Sequence, residues 1–182
     1  MTDMNNLSDE PLFSSRRNPE SQEADFSDSF GGDPEALENS QLNIRSLSLG
    51  DLAAIVRIDR HATGRDRSAY LAQKTAEVLE QSGVRISLVA EDKDMAVGFI
   101  MARLDYGEFG RTFPMAVIDT IGVDSGYHGV GQALLQQLTG NLRTLRVDGM
   151  RTIVRWDDHE LIHFLSNNAF APAQRIALRC PL

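Results

Sequence analysis

The chain reads as an α+β protein: a mixed, mostly antiparallel central sheet of about six to seven strands, flanked by about four helices. Three observations predict this. Apolar residues cluster or alternate in six short segments and recur at helical spacing in four longer ones. Those segments follow the order β-α-α-β-β-β-α-β-α-β. One stretch, Val117 to Leu135, runs from a buried strand through a glycine-rich turn into a helix, and the rest of the chain is organised around it.

The first 40 residues stand apart. They hold ten acids against two bases, which accounts for the whole net charge of −8. They are rich in Ser, Asn, Pro and Gly and carry only scattered apolar residues. Such a segment buries too little surface to offset its ordering entropy, so residues 1–40 are expected to be a disordered acidic tail. A solvated tail is the simpler reading than an arm that docks on a partner. Residues 41–182 then form the domain, with 16 basic and 16 acidic residues. A neutral domain gives no support to nucleic-acid binding, which usually shows a basic face, and no nucleic-acid partner is expected. No run of 18 apolar residues exists, so no membrane span is expected. The amino terminus has no signal-peptide pattern, and the single cysteine, Cys180, has no partner for an internal disulfide. A cytoplasmic protein is expected.

Taken in order, Gln41 to Leu47 alternates and reads as a short strand. Ser48 is placed to cap a helix running to about His61, with Leu52, Ile55, Val56 and Asp59 on one side. The polar break Thr63-Gly64-Arg65-Asp66-Arg67 follows. Ser68 is placed to cap a second helix, with Leu71, Thr75, Val78 and Leu79 inward and Gly83 past its end. Arg85 to Ala90 and Met95 to Leu104 form a hairpin across the turn Glu91-Asp92-Lys93-Asp94. A loop rich in aromatics and glycine, Asp105 to Pro114, leads into the central strand, Met115 to Val123. Ser125 to Gly131 is the glycine turn, and the helix after it carries Leu134, Leu135, Leu138, Leu142 and Leu145 on one face. Thr152 to Trp156 is read as a strand, His159 to Asn168 as a short helix and Ile176 to Arg179 as a last strand. No internal repeat is visible.

The central stretch carries chemistry. The first turn of a helix has unpaired N–H groups and a partial positive charge. Glycines let a polyanion approach those groups with no Cβ in the way. Strand, glycine turn and helix N-terminus together therefore predict a phosphate cradle.

The element order and this stretch resemble the GNAT family of N-acetyltransferases over roughly residues 41–180. The family signature is Gln/Arg-x-x-Gly-x-Gly/Ala, and Gly126-Tyr127-His128-Gly129-Val130-Gly131 is similar to it, with Gly126 in the leading position. The resemblance implies acetyl-CoA as cosubstrate, with its pyrophosphate on the backbone of His128, Gly129, Val130, Gly131, Gln132 and Ala133. Ile118-Asp119-Thr120-Ile121-Gly122-Val123 is similar to the family's Leu-Glu-Asp-Leu-x-Val strand. That implies a strand splayed from its neighbour. Backbone groups of Ile121, Gly122 and Val123 would meet the pantetheine, one N–H polarising the thioester carbonyl. Asp119 matches the acid that serves members as general base. A base is needed because an alkyl amine with a pKa of about 10 is mostly protonated at neutral pH. The alternative for Asp119 is a structural carboxylate paired with Arg or backbone N–H groups.

Asp158 to Phe170 resembles the family's carboxy-terminal helix, Asn-x-x-Ala-x-x-Phe-Tyr-x-x-x-Gly-Phe. Phe164 and Phe170 fall in register, with Phe164 expected at the cofactor. Asp158 replaces the Asn, Leu161 the Ala and Ala169 the Gly. Leu165 stands where many members place a Tyr that protonates the leaving thiolate. A thiol with a pKa of about 8.5 is a fair leaving group without it, and His128 or His163 is an alternative acid.

Two other motifs point elsewhere. His159-Glu160-Leu161-Ile162-His163 fits a zinc-protease helix, but no Asp, Glu or His follows as third ligand, and no metal is expected. Gly129-Val130-Gly131 approaches a dinucleotide fingerprint but lacks its third glycine and its βαβ setting. On the acceptor side the resemblance places a groove by the first two helices and the 105–114 loop. Arg65, Tyr106, Glu108 and Phe109 are its candidate residues, beside Arg60, His61, Asp66, Arg67, Arg111 and Phe113. Acids among them could hold a cationic amine, and arginines a carboxylate or phosphate, on a small-molecule or peptide acceptor. The expectation is an acetyl-CoA-dependent N-acyltransferase working by direct attack in a ternary complex, without Cys180 as nucleophile. The alternative is a non-catalytic CoA-binding or protein-interaction module of the same fold. Assembly as a homodimer is also among the expectations.

Overall fold

The computed structural model of the protein describes residues 42–80, 84–106, 114–173 and 180. The acidic tail, the expected strand at Ile176–Arg179 and most of the 105–114 loop lie outside these residues. Five strands form one sheet in the order β1-β2-β3-β4-β5: Asn43–Ser46, Leu88–Asp92, Met95–Tyr106, Pro114–Val123 and Gly149–Arg151. The first three pairings are antiparallel and β4 pairs with β5 in parallel. Four helices cover it: α1 (Leu52–Thr63), α2 (Ser68–Glu80), α3 (Val130–Thr144) and α4 (His159–Asn167). The class is α+β as expected, with five strands among the described residues rather than six to seven. No helix among these residues is long and apolar enough to cross a membrane.

Apolar residues on both faces of the sheet divide the core in two. Leu47, Ile55, Leu71, Val89, Phe99 and Met101 pack on the α1–α2 side. Leu88, Ile100, Ile118, Leu134, Leu138 and Phe164 pack on the α3–α4 side. With helices on both faces, β3 is buried without a break from Val97 to Ala102.

Several boundaries move, each for a local reason. The first helix opens with a 3-10 turn, Leu49–Asp51, in which the Asp51 carboxylate accepts both Ser48 N–H and Ser48 Oγ at 2.8 Å. Ser68 is the first residue of the second helix rather than its cap, and its N–H donates to the Asp66 carboxylate at 3.0 Å. β2 begins at Leu88 and not at Arg85. The buried Ser87 hydroxyl there bonds both Ala102 N–H and Ala102 O at 3.0 Å, replacing a backbone pair.

The strand expected at Thr152–Trp156 is found at Gly149–Arg151. α3 ends in a Schellman turn, with Arg146 at φ 55° and Val147 N–H donating to Leu142 O, and this delivers the chain to β4 early. Leu145 falls past the helix end and is exposed. After Arg151 the backbone leaves β4. Thr152 Oγ1 makes the next contact, donating to Ile118 O at 3.0 Å.

Candidate active site

β4 has two unlike halves. Residues Met115 to Val117 pair on both sides, with β3 and with β5. From Ile118 onward only β3 pairs with it among the described residues, so one edge is open. A bulge lies in this half: Thr120 faces Met101 and Ile118 faces Ala102, leaving Asp119 as the extra residue. Asp124 N–H donates to Val97 O at 2.8 Å, toward β3. Backbone groups alternate sides along a strand, so those of Ile121 and Val123 point to the open edge and those of Gly122 point to β3. Gly122 has a packing reason as well. A Cβ there would stand 2.7 Å from Phe99 Cε1.

The glycine turn follows. Tyr127 N–H donates to Asp124 O at 3.2 Å, closing a turn in which Gly126 takes φ 90°. Gly129 at φ 75° is the N-cap of α3. The first intrahelical bond runs from Ala133 N–H to Gly129 O at 3.0 Å, so Ala133 N–H is already used. The N–H groups of Val130, Gly131 and Gln132 are the unpaired donors of the first helical turn. They aim their partial positive charge toward the open end of β4. Gly131 packs against Phe164 of α4, where a Cβ would lie 3.5 Å from the ring. Val123 Cγ2 lies at the same 3.5 Å from that Cβ, so β4, the first turn of α3 and the buried Phe164 meet at Gly131.

The sequence reading missed what holds this surface. Gly98, in mid-β3, lets α3 approach, since a Cβ there would come within 2.7 Å of Val130 Cγ1. A lone glycine inside an apolar strand was the available signal. Asp124 is clasped from α1 by Arg57 and by His61 Nδ1, the latter at 3.0 Å, and Arg57 also donates to Ala96 O at 2.7 Å. Burial pushes the Asp124 carboxyl up, but the bonds from His61 and Arg57 outweigh it and leave it below the usual range. His61, grouped above with the acceptor linker, instead braces the loop.

Across the strand, Asp119 faces α2. Its Oδ1 accepts from Arg103 Nη1 at 2.8 Å. Its Oδ2 is buried and has no hydrogen-bond donor among the described residues. Lys74 Nζ stands 3.9 Å away and is held by Glu77 at 2.8 Å. Burial pushes the Asp119 carboxyl above the ordinary 3.8, against the pull of Arg103 and Lys74, and Glu77 adds to the rise. A carboxylate with one anchored oxygen, one bare oxygen and a raised pKa can take a proton from a donor brought to Oδ2.

The remaining candidates scatter. Arg65 is exposed, and Tyr106 is exposed at the end of β3. No ion pair or hydrogen bond among the described residues joins either to Asp119. Glu108 and Phe109 lie outside the described residues. His128 is exposed at the turn, and Leu165 is buried on α4. His163 is exposed and pairs with Asn167 at 3.1 Å. Among the described residues no group of three or more His, Cys, Asp or Glu could hold a metal ion.

The model of the acetyltransferase (GNAT) family matches residues 52–170, and the chain belongs to that family. No curated protein matches it. Solved structures show the same fold at low identity. The aminoglycoside N-acetyltransferase AAC(6')-Iy in complex with CoA is 14% identical, with a TM-score of 0.66 over 78% of this chain and 95% of that one. AAC(6')-Ih from Acinetobacter baumannii is 18% identical, at 0.64 over 78% and 98%. A transcriptional regulator from Bacillus halodurans is 16% identical, at 0.64 over 78% and 99%.

Proposed function

We propose that the protein transfers an acetyl group from acetyl-CoA to a primary amine by direct attack in a ternary complex. One observation carries this reading: the open edge of β4 leads, through the glycine turn, to the first turn of α3 and its N–H groups. That surface fits the cosubstrate. The N–H groups of Val130, Gly131 and Gln132 would take the pyrophosphate, with Gly129 leaving room for it. Ile121 and Val123 would offer their backbone groups to the amide-bearing arm, and Phe164 its ring. Bound acetyl-CoA supplies the acetyl group and a thiolate leaving group.

The protein's own residues do the rest. A backbone N–H at the open edge offers a fixed donor where negative charge develops on the carbonyl oxygen. Asp119 Oδ2 accepts the proton of the attacking amine, directly or through water, while Arg103 fixes Oδ1. Burial supports this role, because a carboxylate raised toward neutral pH is the stronger base. Small polyamines and amino sugars are the first acceptors to try, since two of the structural relatives are aminoglycoside acetyltransferases.

The second reading is a CoA-binding module without turnover. Gly126 in place of Gln or Arg, and Leu165 in place of Tyr, favour it. Thermal unfolding with acetyl-CoA tests both. At 100 times its Kd the ligand should stabilise the protein by about 2.7 kcal/mol. No shift at millimolar acetyl-CoA overturns both readings. A shift with no thiol released across an amine panel leaves the binding module.

A further inference from the structure

Asp119 presents an oddity that its role as a base does not explain. Oδ2 is buried and bare, yet a flexible ammonium stands 3.9 Å from it. A buried carboxylate oxygen without a donor is costly, and a lysine side chain can close a gap of about 1 Å by small torsional changes. Something must hold Lys74 back. Glu77 lies one turn further along α2 and takes the ammonium at 2.8 Å. The Lys74–Glu77 pair is itself shielded, with side chains 21% and 27% exposed.

The charged groups that face Asp119 are Lys74 and Glu77 from α2 and Arg103 from β3. Tyr70, a turn before Lys74, acts on the lysine and on Arg67 but is not among the groups acting on Asp119. We propose that Glu77 is a positioning residue, latching Lys74 away from Asp119 so that the lone pairs of the buried Oδ2 stay unoccupied for the acceptor amine. The purpose of the latch rests on the reading of Asp119 as proton acceptor, but its existence does not. With the latch shut, Lys74 sits close enough to favour the carboxylate and too far to occupy its free oxygen. With the latch removed, the ammonium closes on Oδ2 and competes with the amine for the same lone pairs.

The test is a double-mutant cycle read on Asp119 itself. The titration midpoint of its side-chain carboxyl carbon is followed by NMR in the full chain, in E77Q, in K74M and in the double variant, with amide spectra confirming the fold of each. Removing Glu77 alone should lower the midpoint by about one pH unit, because an opposite charge is brought into contact. In the K74M background the same substitution should lower it far less, since only the remote negative charge is lost. Equal lowering in both backgrounds overturns the latch. Turnover separates the second possible failure. If E77Q lowers kcat and adding K74M restores much of it, the open Oδ2 serves the amine. If the titrations couple and kcat does not move, the base reading of Asp119 falls while the latch stands.

Discussion

The two sides of β4 are built from different materials. Its open edge, with the α3 N-terminus, is a backbone surface: N–H and C=O groups made available by a strand that loses its neighbour and a helix that starts at a glycine. Its α2 side is a side-chain surface, where Arg103, Asp119, Lys74 and Glu77 come from three elements. A backbone surface survives most substitutions, because every residue carries the same groups. A side-chain surface has no such reserve. Under the proposed function, that difference lets the chain lack the family's leading Gln or Arg at Gly126 and still offer backbone N–H groups to a pyrophosphate.

The contrast can be broken from either side. Asp119→Asn should have the largest effect, lowering kcat by at least about 100-fold while acetyl-CoA affinity stays within a few-fold. Steady-state kinetics and calorimetry on one preparation check both. Gly98→Val should do the converse, pushing α3 from the sheet, costing about 2 kcal/mol of stability and weakening acetyl-CoA binding about tenfold or more. Equal loss in kcat and cofactor affinity in either variant would merge the two surfaces into one.

Acid unfolding offers a reference remote from both. The hydrogen bond from Arg45 leads in pushing the Asp51 carboxyl down to about 2 from 3.8. A lowered carboxyl stabilises the fold above its unfolded pKa, so its contribution, on the order of 2 kcal/mol, is complete above about pH 4 and lost as pH falls through about 2. Arg45→Met should flatten that limb in denaturant titrations and leave the binding of acetyl-CoA at neutral pH unchanged. Arg57→Met releases one arm of the Asp124 clasp and should weaken acetyl-CoA binding about threefold, through the turn rather than through contact. The smallest change is a gain. Ala169 sits at φ 65° in the Schellman turn of α4, where Phe170 N–H reaches Leu165 O, so Ala169→Gly should add about 0.5–1 kcal/mol by thermal unfolding.

Legibility followed the same divide. Strand, glycine turn and helix could be placed from sequence to within a residue or two, because glycine spacing and apolar period are local signals. The α2 side could not. Nothing local in Lys74 or Arg103 distinguishes them from other surface cations, and only the fold brings them to Asp119. Glu108 and Phe109 fall outside the described residues, and Arg65 makes no contact with the cluster. Strand ends slipped where side chains replaced backbone pairs, at Ser87 and Thr152, since a hydroxyl that closes a ladder looks like any other serine or threonine.

The bulge at Asp119 carries one more consequence. Before it, even-numbered residues turn their side chains to α3, as Ala116 and Ile118 do; after it, odd-numbered Ile121 and Val123 do so. The backbone changes parity too. Pro114 O and Ile118 O reach toward β5, whereas Asp124 N–H turns to β3. One inserted residue therefore acts as a frame shift within a single strand. Deleting that residue would leave Ile121 and Val123 where they are; straightening the strand with every residue kept would turn them to the opposite face and hand the open edge to Gly122.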